Sequence, residues 1–477
     1  MDEVVFPRTP DGRRSSAALG RAVVADALRA VDPAAAEAAA RETDWRRGYL
    51  PHFRRLVEAG LADGGAAGYR IAGAGLTALH VRMRLSRDGE DVPLADAFRA
   101  GADRPLETVE IVGSGKPERE LLLPYRGEML HGDALLRRLD AWVAGGTIEP
   151  SCAEAVREVA ANPEWLDLSD QRLVALGAAA EMGPLPAVLG WGGTVVGVDL
   201  PRPELWGRLT AVAEAGGGRL IAPVSAQGLG ADLLSDLAAV AEWLLGMEGP
   251  VIVGNYVYAP GAAYVRLSAA VDALILRLGE HRDDVALAVL ATPTDVFAVP
   301  PEAVAQAADR FHRRARRARI VAAFSAGRLL GPNYPDADPD RPGISDSLVR
   351  QQGPNYALAK RIHRWRASLA RRDGVVSFAV APPTRTRSVL SNRLLAAAYA
   401  GAHLFDVEVF APPTANRLMA ALLVHQIRRP RPAASAAWRD EAVAAVHGGL
   451  WRTAYQPRSA LGLAAVRGLV SARRRAA

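Results

Sequence analysis

The chain has 477 residues, of which 50% are hydrophobic and 23% charged, with a formal net charge of +6. This length and composition exclude a disordered polymer and a single small core, and the mild charge makes no demand for a nucleic-acid partner. One cysteine, Cys152, excludes an internal disulfide and a thiolate metal cluster.

The start, Met1-Asp2-Glu3-Val4, is acidic and lacks the basic-then-apolar plan of a signal peptide. The apolar runs fall far short of the roughly 20 residues of a membrane span. A cytoplasmic protein with no transmembrane segment is expected. Residues 1–165 read as a mostly helical α+β N-terminal domain of unassigned role, with a β-like piece at 106–112. Gly113-Ser114-Gly115-Lys116 has the glycines of a phosphate loop but not its spacing, and Pro117 stands where Ser or Thr is required, so a turn is expected. Asp133, ahead of Ala134-Leu135-Leu136, reads as a helix cap.

Residues 166–427 carry the chemistry and are expected to form an α/β domain with a doubly wound parallel sheet, Rossmann-like and NAD(P)-binding. The run 172–176 is a buried strand, followed by the small-residue turn Gly177-Ala178-Ala179-Ala180-Glu181-Met182-Gly183, a helix over 184–191, and a second strand over 194–198 that ends in Asp199. Strand, small-residue turn, helix, strand and acid form the ordered plan of a dinucleotide-binding unit. Gly177, Ala178, Glu181, Met182 and Gly183 are therefore candidate cofactor-binding residues. Asp199 can accept the ribose hydroxyls and slightly favours NAD, while Arg202 can pair with a 2′-phosphate and keeps NADP open.

Strands over 219–224, 250–255, 285–290 and 375–380 continue the alternation, separated by helical segments such as 232–245 and 262–278. Ligands sit at the carboxyl ends of such strands, where Asn255 and Thr292 fall. The arginine run 312–319 reads as a solvated helix face. A Pro-, Asp- and Gly-rich loop over 331–343 leads through Ser345 and Ser347 to a helix carrying Tyr356 and Lys360. The i, i+4 spacing puts phenol and ammonium on one face, and only Lys116 and Lys360 are lysine among 58 basic residues. A compact cation beside a phenol favours the tyrosinate, which suits proton transfer in carbonyl/alcohol chemistry. Residues 428–477 read as a basic helical tail.

In this order, the region from about 170 to 415 resembles the short-chain dehydrogenase/reductase family. Gly177 and Gly183 correspond to the first and last glycines of the family's Thr-Gly-x-x-x-Gly-x-Gly loop, with Leu176 and Glu181 departing from it. Asp199 matches the acid after the second strand, and Asn255 stands where the family's Asn-Asn-Ala-Gly stretch ends the fourth. Tyr356 and Lys360 match the catalytic pair. Val380-Ala381-Pro382-Pro383-Thr384 resembles the segment after the sixth strand, which would set Pro382 and Thr384 near the nicotinamide.

The resemblance implies hydride transfer between NAD or NADP and a small carbonyl or alcohol substrate. Tyr356 would be the acid/base, and Lys360 would lower its pKa and hold the nicotinamide ribose. Ser345, Ser347 or Thr292 would hydrogen-bond the substrate oxygen, a choice the sequence leaves open. An NAD-retaining lyase or epimerase, or a non-catalytic nucleotide-binding module, is the alternative. No metal and no nucleic acid are expected, and homo-oligomerisation is left open.

Overall fold

The computed structural model describes the chain apart from residues 1, 100, 103, 315, 326–327, 336–337, 339–340 and 477, and apart from the side chains of 317 and 470–476. Parts of the 312–319 run, of the 331–343 loop and of the basic tail thus lie outside the described residues.

Eight strands form one mixed, mostly parallel sheet: β1 (Glu107–Val112), β2 (Arg172–Leu176), β3 (Thr194–Val198), β4 (Arg219–Ser225), β5 (Gly228–Leu229), β6 (Val251–Asn255), β7 (Val285–Ala291) and β8 (Val376–Val380). The order across the sheet is β5-β4-β3-β2-β6-β7-β8, and β1 runs antiparallel along β4. Strands β4, β3, β2, β6, β7 and β8 are parallel neighbours. Within that block the first strand in the chain lies beside both the second and the fourth. The chain therefore reverses its direction of winding between β2 and β6, which opens a crevice at their carboxyl ends.

The strand sequences are apolar without alternation because helices cover both faces. Val174, Val196 and Val253 enter one core, while Leu173, Val195 and Ile252 enter the other, as a two-residue period requires. Each such side chain contributes about 1.5–3 kcal/mol when fully buried. The residues before 166 are spread over this body. Helices Ser16–Arg29, Trp45–Gly60 and Ala67–Arg82 share the first core with Ala262–His281 and Gly353–Ala370, and Pro150–Ala161 shares the second with Pro412–Arg428.

Some boundaries differ from those expected. The helix after β2 is only Leu185–Gly190, since Pro184 and the turns before it use up the start of the segment. The helix expected from 232 begins at Leu237, because Asp232 and Asp236 instead bond turn backbone. Asp133 lies inside the first turn of Gly132–Ala144 rather than capping it. Among the described residues no helix is long and apolar enough to cross a membrane, and no group of three or more His, Cys, Asp or Glu is placed to hold a metal ion.

Candidate functional site

A cleft of about 940 Å³ lies along the carboxyl ends of the parallel strands. Gly177, Glu181, Met182, Gly183, Asp199, Arg202, Asn255, Thr292, Ser347, Tyr356, Lys360, Pro382 and Thr384 all line it. Ala178 and Ser345 do not: Ala178 turns into the core, and Ser345 is fully buried opposite Phe297 in the hairpin of Val296–Val299 with Gly343–Asp346.

The loop after β2 depends on its glycine. Gly177 has φ +80°, and a Cβ there would come within 2.9 Å of the Tyr256 and Val257 backbone. The Gly177 and Ala178 N–H groups both donate to the Val198 carbonyl, tying the loop to β3 at 2.9 and 3.2 Å. Gly177→Ala is expected to cost about 1–3 kcal/mol of stability, from strained backbone plus this collision, seen as a lowered urea midpoint.

Asp199 is largely occupied by the same loop. Its Oδ2 accepts the Ala179 N–H at 2.9 Å and its Oδ1 the Leu200 N–H at 2.8 Å. Burial raises its carboxyl above the usual range, partly offset by those two bonds and by the nearby Arg202 and Arg208. Both arginines line the cleft, and neither forms an ion pair within the described residues. Across the opening, Glu181 accepts the Arg387 N–H at 2.8 Å and pairs with its guanidinium at 3.3 Å.

At the centre stand Tyr356 and Lys360, both half-buried on the helix Gly353–Ala370. Pro354 suits the first turn, where no N–H partner is available, and Leu358, Ile362 and Trp365 anchor the helix in the first core, leaving the Tyr356 face toward the cleft. Tyr356 packs against Tyr264 at 5.7 Å and Tyr258 at 6.5 Å between ring centroids. Burial raises the phenol above its ordinary pKa, and interaction with the Thr292 side chain works in the opposite direction. Thr292, at the end of β7, is thus the hydroxyl beside Tyr356. It is 3.0 Å from Thr294 Oγ1, which in turn accepts Gln352 Nε2 at 2.9 Å.

Lys360 Nζ donates to the Leu290 carbonyl at 3.3 Å and lies 5.9 Å from the Tyr264 ring centroid. Burial lowers the ammonium to about 8, against a smaller raising effect of Asp295. The expected depression of the phenol by the lysine is not seen: burial and Thr292 are the largest influences on Tyr356, and burial and Asp295 those on Lys360.

Three residues that line this cleft each carry a buried polar atom with no partner among the described residues: Asn255 Oδ1, Tyr264 Oη and Ser347 Oγ. Behind the centre, Asp295 is buried between Arg361 at 3.1 Å and Arg364 at 2.6 Å, and Arg364 also holds Glu441 at 2.6 Å. This network fixes the Tyr356 helix against the end of β7.

No family model, curated protein or solved structure matches the chain. Arg208, Tyr258, Tyr264 and Gln352 line the cleft without having been singled out from the sequence. The ion network carried no distinct signal either, since Arg361 and Arg364 are two of several basic residues on a helix that also holds Lys360, His363 and Arg366.

Proposed function

We propose that this chain is an NAD(P)-dependent oxidoreductase acting on a carbonyl or alcohol. The observation that carries the reading is the meeting of Tyr356, Lys360 and Thr292 at the carboxyl ends of a parallel block with the strand order 3-2-1-4-5-6, the arrangement of Rossmann-like dinucleotide-binding sheets. The unpartnered Asn255 Oδ1, Tyr264 Oη and Ser347 Oγ support a polar ligand in the cleft, because buried polar atoms are rarely left unbonded.

The loop 177–183 would pass the pyrophosphate, Asp199, Arg202 and Arg208 would hold the adenosine end, and Asn255, Pro382 and Thr384 would border the nicotinamide. When bound, the nicotinamide supplies or accepts the hydride. Tyr356 carries its proton at neutral pH, as an ordinary phenol does and the more so for its burial, so the proton is in place for a carbonyl oxygen. Thr292 would share that oxygen. Lys360 is largely cationic at pH 7 and would stabilise the phenolate left behind.

Two cleft arginines without ion pairs, beside an Asp199 already bonded to backbone, tilt the reading toward NADP. NADPH is expected to stabilise the fold by about 2.7 kcal/mol at a hundredfold excess over its Kd, and to raise the unfolding midpoint more than NADH does at the same concentration. Arg202→Ala should remove most of that preference. Protection by neither nucleotide at millimolar levels would sink the reading.

Lys360 also gives a pH dependence of stability. Its pKa is about 8 folded and 10.5 unfolded, so between these values the unfolded chain binds more protons and stability from this group rises with pH. Lys360→Met should flatten urea stability over that window and raise it at pH 7.

A further inference from the structure

Charge is distributed unevenly along the cleft. The side near β2 and β3 carries Glu181, Asp199, Arg202, Arg208, Asp232 and Arg387, whereas none of the lining residues from 395 to 464 is charged. That second arm is walled by Leu395, Ala398, Phe405, Leu450, Ala460 and Leu461. Its Thr453 hydroxyl already donates to the Phe405 carbonyl at 2.7 Å, so it offers no free donor.

The arm is preformed. Its two helices, Arg393–Gly401 and Pro457–Ala476, touch backbone to backbone: a Cβ at Gly401 would overlap the Ala464 carbonyl, and one at Gly468 the Ala397 carbonyl. Apolar character continues outward from residues that line it, with Leu390, Leu394 and Leu404 exposed by 54%, 43% and 52%. The arm also adjoins the centre, since Tyr399 lines it and lies close enough to act on the Tyr356 phenol. Apart from the Tyr399 and Tyr455 phenols, water in such an arm finds few partners, while hydrocarbon gains from every methylene it buries.

We infer that the substrate carries an extended hydrocarbon chain, seated in this arm with its oxygen at Tyr356 and Thr292. The assignment of the reacting end rests on the oxidoreductase reading; the chain-binding arm does not. Straight-chain secondary alcohols from butanol to dodecanol, titrated against the full chain by thermal unfolding, test it. Apparent affinity should rise about fourfold per added methylene until the arm is filled. Leu395→Trp, which narrows the arm, should abolish the dependence on length, and Ala464→Leu serves the same purpose if that variant does not fold.

Affinity independent of length, or a length dependence untouched by both substitutions, overturns the inference. Protection by NADPH, read alongside, separates the two levels. A flat alcohol series with NADPH protection defeats only the substrate class. A rising series without protection by either NADPH or NADH keeps the hydrocarbon arm and defeats the oxidoreductase.

Discussion

Tyr356→Phe is expected to lower kcat for carbonyl reduction by about 10²–10⁴-fold, the usual worth of a positioned general acid. The ring should stay in place, because its contacts with Tyr258 and Tyr264 are aromatic and survive loss of the hydroxyl. The unfolding midpoint should therefore change little, which separates lost chemistry from lost structure. Thr292→Val should fall short of this effect, since it removes one hydrogen-bonding group and no proton source. Undiminished turnover in Tyr356→Phe would remove the pair from catalysis.

Asp295→Ala is expected to cost about 3–5 kcal/mol of folding stability, measured by urea unfolding. The side chain is 1% exposed and holds Arg361, Arg364 and, at 2.7 Å, the Val296 N–H. Removing it leaves two guanidinium groups buried, one of them, Arg361, already lowered to about 10 by burial and by Arg364. The exposed pair Asp309 with Arg313 makes the contrast. Its loss should leave the urea midpoint nearly unchanged, because solvent screens it. Arg361 and Arg364 hold the Asp295 carboxyl below the usual range despite burial, so the contribution of Asp295 is present at neutral pH and lost on strong acidification.

The parallel strands were legible because strands buried on both faces must be written as unbroken aliphatic runs between turn residues, as 172–176 and 194–198 are. The edge pairing was not. The 106–112 run reads as a β piece, but its partner β4 lies far along the chain, and backbone hydrogen bonds that join them leave no mark on either sequence. The choice among Ser345, Ser347 and Thr292 was hidden for a related reason. Ser345 and Ser347 are near Tyr356 in the chain, yet the hairpin with Val296–Val299 buries Ser345, while Thr292, much further off in sequence, reaches the site because β7 ends there. The six-residue helix after β2 was overread because its apolar residues continue beyond both helix ends.

The most direct measurement is a calorimetric titration of the intact chain with NADPH, repeated with Arg202→Ala. Saturable binding at one site per chain, weakened in the variant, is the result expected of a nicotinamide nucleotide seated over β2 and β3. Absence of binding at millimolar NADPH and NADH alike, in a protein shown to be folded, would contradict it.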